Sequence, residues 1–337
     1  MKDFSYLINL PGTPQEQAWI RDRLETLSVK EGVTLAAAME EKPPDTAADA
    51  VNRFCALPDY KICGFAGDYK QLGDYAAGEA LLPKEARPYL DLEKLGRTYA
   101  EAHPGIFCEG HYVEFPAQAP ESRYDPKTGQ LPEDINWSIK LRASTPAIPE
   151  GVWIRLPDHQ SDMDSNPDEI ALALNALGAK TVQELTLLDS RCVLPGTWNL
   201  LEQYSDIADL MYDGDELGFS MEYHLQNFEN LKEQFWAAVN YEACYDLRYA
   251  LNIAQNLKYY DWVSNDGLEK VAEKELRDCN VPEETIRSGA IDLTAYGKDI
   301  LTRRGYFQTP DESGYIFRSS QAPVCEFISP QSPAMGM

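Results

Sequence analysis

Two nine-residue stretches of this chain, YLDLEKLGR at 89–97 and AIDLTAYGK at 290–298, follow one pattern. Each has an apolar-Asp-Leu step, two spacers, a bulky apolar residue, Gly and a cation. An apolar-Pro pair precedes each (Leu82-Pro83, Val281-Pro282), and a Gly with an apolar-aromatic pair follows (Gly105 with Ile106-Phe107, Gly305 with Tyr306-Phe307). A pattern repeated about two hundred residues apart predicts two related units instead of one continuous fold. The 337 residues, 44% hydrophobic, leave room for such a pair, since compact domains hold roughly 150 residues each.

Local signals predict the elements. Residues 4–10, FSYLINL, read as a strand running into Pro11-Gly12. Thr13-Pro14 supplies a cap and a first-turn proline for a helix to about Leu27, and GVTLAAAMEE reads as a second strand. EEKPPDTAAD reads as a loop or helix start, and a helix is expected over Tyr69–Leu82. Residues 116–134, rich in Pro, Ser, Gly and Gln, read as a linker. Ile135, Trp137, Ile139 and Leu141 then alternate along a strand, GVWIRLP makes another, and QELTLLDS a third. Asn166-Pro167 repeats the cap-plus-proline signal for a helix to about Leu177, so both halves are expected to begin alike as well as end alike. Helical material fills 227–278, and 321–337 reads as a disordered tail. The fold class expected is an elongated, multi-domain α+β protein with small sheet-and-helix units and a helical middle.

Charge narrows the function. Fifty-five acids against 30 bases give −25, which opposes direct nucleic-acid binding through like-charge repulsion and permits a basic partner or imitation of a polyanion. Residues 156–231 hold 15 acids and 2 bases, about half of the excess in under a quarter of the chain. From Cys192 to Leu231 there are eight acids and no Lys or Arg. Within that tract Glu202, Asp206, Asp209, Asp213 and Glu216 are spaced 4, 3, 4 and 3, one helical face, while Leu200, Tyr204, Ile207 and Met211 mark a packing face. A continuous helix would spread the five carboxylates over ~21 Å, sparser than the phosphates of one DNA strand at roughly 3.4 Å. Gly214 is expected to end this helix, leaving Asp215, Glu216 and Glu222 on a loop. Asp158, Asp162, Asp164, Asp168, Glu169, Glu184 and Asp189 are the acids available beside it. Like charges at helical spacing repel by about 0.2–0.5 kcal/mol, so folding gives no reason for the stripe. The bland alternative is an ordinary solvated face.

Other functions find little support. The histidines (His103, His111, His159, His224) lack zinc-site spacing, and no GxGxxG, GxxxxGK[ST] or GxSxG motif occurs. DGDE at 213–216 lacks the spacing of a calcium loop. Neither a metal nor a cofactor is expected, and the chain does not read as an enzyme. The seven cysteines are scattered without CxxC, as reduced thiols would be. No apolar run is long enough to span a bilayer and the N-terminus does not read as a signal peptide, so a cytoplasmic protein is expected.

From Ile135 to Phe317 the residues resemble the ArdA antirestriction proteins, acidic DNA mimics of conjugative elements and transposons. The likeness runs through IKLRASTPAIPEGVWIRLP, LEQYSDIADL and VPEETIRSGAIDLTAYGKDI, and residues 4–115 look like an abbreviated copy that keeps LPKEARPYLDLEKLGR but has Leu95 in place of Tyr296. The resemblance implies an elongated, dimeric α+β protein that occupies the DNA-binding cleft of type I restriction-modification enzymes. It also implies phosphate-imitating roles for Glu202 and Asp209, and structural roles for Tyr296, Gly297 (a helix cap) and Asp292 (a turn anchor). Charge geometry adds Asp206, Asp213, Asp215, Glu216, Glu222, Asp162, Asp164, Asp168 and Glu169. The organisation expected is a short copy over 1–115, a linker over 116–134, an α+β domain with the acidic tract over 135–220, a helical domain over 221–278, a C-terminal domain over 279–320 and the tail. The short copy is expected to act as a scaffold, or as one half of an intrachain pseudo-dimer in place of a homodimer. The alternative is a mobile-element accessory protein of the same fold that binds some other basic protein.

Overall fold

In the computed structural model, residues 2–80, 85–134, 137–157, 168–194, 200–225, 231–244 and 246–322 are described. The chain packs as two compact units, Met1–Arg191 with Asp206–Ala208, and Cys192–Ser205 with Asp209–Met337. Helices predominate and the strands gather in small three-stranded sheets, an α+β architecture.

The first unit opens with a 3-10 helix, Ser5–Asn9, where a strand is expected. Leu7 within it and Phe4 just before it are buried, a spacing of three that suits a helical turn and not a pleat. Three helices follow, α1 (Pro14–Glu25), α2 (Val29–Glu41) and α3 (Ala47–Cys55), each started by a full capping box: Thr13 with Glu16, Ser28 with Glu31, Thr46 with Asp49. Helix α2 replaces the strand expected over GVTLAAAMEE. It is buried on nearly every side from Val29 to Met39, so its sequence carries no amphipathic period, and an apolar run without period does not separate strand from helix. The capping box and three consecutive alanines decide for the helix. The chain continues through β1 (Lys61–Cys63), α4 (Tyr69–Glu79), α5 (Leu92–Ala102), β2 (Gly105–Cys108) and β3 (His111–Glu114). A second sheet follows, with β4 (Ile139–Thr145), β5 (Ile148–Leu156), α6 (Glu169–Leu177) and β6 (Thr186–Cys192) in strand order β5-β4-β6. The three strands overlap the segments expected, with shifted starts: Trp137 stands before β4, β5 begins at Ile148 ahead of GVWIRLP, and Gln183 and Glu184 form a 3-10 turn before β6. Ile135 and the Asn166-Pro167 signal fall outside the described residues, and Asp168 is the residue that caps α6.

The second unit holds α7 (Leu200–Gln203), α8 (Ile207–Leu225), α9 (Leu231–Tyr241), α10 (Leu247–Gln255), β7 (Tyr260–Ser264), α11 (Leu268–Asp278), α12 (Glu283–Ile286), α13 (Leu293–Arg303), β8 (Phe307–Gln308) and β9 (Gly314–Arg318). Its series α9-α10-β7-α11-α13-β8-β9 matches α2-α3-β1-α4-α5-β2-β3 of the first unit, element for element apart from the added α12. Both sheets are antiparallel with the last strand central, in order β1-β3-β2 and β7-β9-β8. A 3-10 turn leads into each first strand, and the tyrosine that follows it, Tyr60 or Tyr260, donates its hydroxyl to a carboxylate at the end of the module's first helix, Glu41 or Glu242. The likeness of the two halves therefore lies here and not at their beginnings. The first unit carries no counterpart of β4-β5-β6 ahead of its module.

The repeated nine-residue pattern now has a physical cause. Asp91 and Asp292 are the N-caps of α5 and α13, accepting from Lys94 N (3.1 Å) and Ala295 N (2.9 Å). The glycine five residues on is no helix cap, as was expected of Gly297, but a crossing point. A Cβ on Gly96 would lie 1.8 Å from Tyr69 O, and one on Gly297 would lie 2.1 Å from Leu268 O. Any side chain there would force the helix pairs α4/α5 and α11/α13 apart. Beneath the crossings lie Leu72, Tyr75 and Tyr112 in one copy and Leu268, Leu301 and Tyr315 in the other.

Residues 116–134, expected as a linker, lie within the first unit, largely exposed but tied to it at several points. Tyr124 is buried and donates to Glu16 Oε1 (2.8 Å), Trp19 Nε1 donates to Pro132 O (2.9 Å), and Arg123 pairs with Asp59 (2.9 Å). Asp134 joins a buried charge cluster. Its Oδ2 meets Arg23 of α1 and Lys140 Nζ of β4 (2.8 Å), its Oδ1 meets Arg155 of β5 (2.8 Å), and Glu31 of α2 takes Arg23 (2.7 Å) and Arg155 (2.6 Å). Burial alone would raise the Asp134 carboxyl, but Arg155, Arg23 and Lys140 outweigh it and hold the group at about 2. Among the described residues no helix is long and apolar enough to cross a membrane.

A carboxylate held below its unfolded value stabilises the fold above that value and loses the contribution as pH falls through the folded one. Asp134→Asn is therefore expected to destabilise the first unit by ~3 kcal/mol at neutral pH, because it leaves buried Lys140 without a carboxylate and Arg23 and Arg155 to share Glu31. The gap between variant and wild type in urea unfolding should narrow from about pH 4 towards pH 2 as the wild-type carboxyl protonates.

Candidate functional site: the acidic helix

The acidic tract does not form one continuous helix. Helix α7 ends at Gln203, the chain breaks at Tyr204–Ser205, and α8 restarts at Ile207 with Asp206 Oδ1 accepting from Ala208 N (2.8 Å). Helix α8 then runs 19 residues without ending at Gly214. Glycine in a helix interior costs about 1 kcal/mol relative to alanine, and burial of Leu210, Met211 and Leu217 beside it offsets that. Asp215, Glu216 and Glu222 therefore sit on α8 and not on a loop. The packing face is close to the one expected, with Leu200 and Met211 buried and Tyr204 and Ile207 half-buried.

The candidate carboxylates divide by environment. Asp213 is buried (8% exposed) and internally neutralised. Its Oδ2 accepts from Tyr204 Oη (2.6 Å) and from Arg248 Nε of α10 (2.8 Å). Arg248 lies over the Tyr204 ring and reaches Asp209 at 3.9 Å. Burial, then the Asp213 carboxylate, push the Tyr204 phenol well above its ordinary value. The tract lacks Lys and Arg in sequence, but in space it borrows one, 35 residues further on. Asp168 caps α6 through Ala171 N, and Glu169 is buried, taking a hydrogen bond from Ser28 Oγ (3.0 Å). These three acids are built into the fold. Asp162 and Asp164, with Asp158, lie outside the described residues, as does the Glu202 side chain. Asp206 and Asp209 are exposed, and Asp215, Glu216 and Glu222 half-exposed.

Two residues not singled out from the sequence complete the outer face of α8. Tyr212 is 65% and Phe219 38% exposed. Their signal is a heptad present twice in succession, DLMYDGD at 209–215 and ELGFSME at 216–222. Each copy runs acid, Leu, any residue, aromatic, two residues, acid. Leu210 and Leu217 are fully buried, so the aromatic two residues later, about 200° around the helix, faces outward.

The charge excess coincides with the part of the chain that occurs once. Residues 29–115 and 231–318, the two module copies, hold 15 acids each, against 9 and 11 bases. Net charge is −13 over 156–231, between them. Among the described residues no group of three or more His, Cys, Asp or Glu is placed to hold a metal ion. Compared with family models, curated proteins and solved structures, the chain has no match.

Removing the buried pair should cost stability, whereas removing exposed acids should not. Asp213→Ala removes the acceptor that Tyr204 and Arg248 share, leaves Arg248 only the longer contact to Asp209, and is expected to lower unfolding free energy by ~1–3 kcal/mol. Asp209→Ala should stay within about 0.5 kcal/mol. Chemical denaturation followed by circular dichroism measures both.

Proposed function

We propose that the chain is an antirestriction protein that acts by occupancy and not by catalysis. It presents carboxylates in place of DNA phosphates and fills the DNA-binding cleft of a type I restriction-modification enzyme, in the cytoplasm where such enzymes meet incoming DNA. The observation that carries this reading is the placement of the charge. The net negative charge is concentrated in the one stretch that the duplication does not include, and there Asp209, Asp215, Glu216 and Glu222 line a 19-residue helix that holds no Lys or Arg. Folding does not require that placement, since neighbouring like charges oppose it. The resemblance of 135–317 to ArdA proteins points the same way.

A second reading, a mobile-element accessory protein bound to another basic protein, is favoured by the exposed aromatics of α8, because a phosphate backbone needs no apolar imitation. In both readings the two modules are scaffold, and the first stands in for a second subunit. Light scattering is then expected to give the mass of one chain, 37.9 kDa. Twice that mass would show a homodimer instead.

The deciding assay is cleavage of unmodified plasmid by a type I restriction enzyme, with and without the protein, at two salt concentrations. Inhibition competed by duplex DNA and relieved by salt is expected, since exposed charge pairs are screened. Asp209→Lys with Glu216→Lys should weaken it by at least tenfold. No inhibition at large protein excess would turn the assignment to the second reading.

A further inference from the structure

The outer face of α8 has an order that a solvated face does not need. Tyr212 and Phe219 are seven residues apart, so they stack along the helix axis at about 10 Å, almost in line. Each has a carboxylate three residues before it and three after, Asp209 and Asp215 around Tyr212, Glu216 and Glu222 around Phe219. Three residues turn a helix through about 300°, so each aromatic is flanked by an acid about 60° to either side. The face is therefore an apolar ridge between two acidic rows, written twice by the heptad. Burial of Leu210 and Leu217 on the opposite side fixes which way it points. Aromatic pairs at i and i+7 are the spacing by which a helix anchors in a groove, and tyrosine is enriched among residues that dominate binding energy.

Accepting the reading that this chain binds a basic protein, we infer that α8 docks as a helix into an apolar groove rimmed by Lys and Arg, with Tyr212 and Phe219 as its anchors. Charge complementarity identifies the occupant. The flanking rows repel nucleic acid and anionic membranes and favour a rim of cations on both sides of the groove. The carboxylates then steer and orient, while the rings supply contact that salt does not screen. Recognition would be amphipathic and not the matching of a charge row alone.

The probes are two labelled peptides of equal positive charge, one an amphipathic helix of Leu and Lys, the other a lysine homopeptide. Binding to the full chain is read by fluorescence anisotropy at low and moderate salt. Wild type is expected to bind the amphipathic peptide at least tenfold more tightly than the homopeptide, and to keep that preference when salt releases the homopeptide. Tyr212→Ala with Phe219→Ala should bring the two affinities within about twofold of each other, with the homopeptide affinity unchanged. A thermal melt matching wild type would show that the fold is intact. Single substitution of the more exposed Tyr212 should give an intermediate loss. Equal binding of the two peptides by wild type, no binding of the amphipathic one, or a preference that survives loss of both rings would overturn the inference. So would a wild-type dimer that the double variant converts to monomer, because a second copy would then cover the face. The plasmid assay is independent of these outcomes. A peptide preference without restriction inhibition would sink the antirestriction reading alone, and inhibition without a peptide preference would sink only the docking mode.

Discussion

The first unit depends on a cluster of opposite charges drawn mostly out of water. Glu31 accepts at the start of α2 as the partner of Ser28 in the capping box and, with its other oxygen, takes Arg23 and Arg155. Asp134 receives those two arginines and Lys140 as well. One helix start, one segment without regular structure and two strands are thereby fixed on each other. Such a cluster adds little net stability over an apolar replacement, but it tolerates only one arrangement, because any displaced member leaves an uncompensated charge. Helix α2 needs that specification. It is apolar on nearly all sides and could pack in several orientations, and Glu31 at its first turn allows one.

The sequence was most legible where local chemistry decides structure. Thr13-Pro14 started a helix as predicted, Ile139 and Leu141 of the expected alternation lie in β4, and the TLLDS end of QELTLLDS lies in β6. It was least legible where tertiary packing decides. Helix α2 lacks a period because it has no exposed side, and Gly214 stays helical because its neighbours are buried. The repeated pattern was visible, but its cause was not, since a close approach between Gly96 and Tyr69 O involves residues 27 apart. At the acidic helix the same distinction holds. Spacing placed Asp209 and Glu216 on one face, yet the partner that neutralises Asp213 comes from α10, and no local pattern points to it.

Duplication separates two demands that conflict within one domain. A module that must fold keeps its acids near bases, as the ion pairs Arg97–Glu93, Arg277–Glu283 and Arg304–Glu275 show. A surface that must attract cations keeps its acids away from them. In this chain the two copies hold ion pairs of this kind, and α8 between them carries its exposed acids with no Lys or Arg of its own, borrowing Arg248 of α10. That division lets α8 carry repulsion that would burden a smaller fold.

The pinned carboxylate at Asp213 has a geometric consequence. Apolar side chains fix the rotation of a helix through shape alone, whereas a charge-assisted hydrogen bond adds a directional constraint. Arg248 and Tyr204 hold one point on the circumference of α8, and a roll of a single residue step, about 100°, would carry that point away from both. The azimuth of every outward side chain is thus referred to one hydrogen-bonded oxygen on the inward edge. The helix behaves as a keyed shaft, and its key is an acid almost closed to solvent.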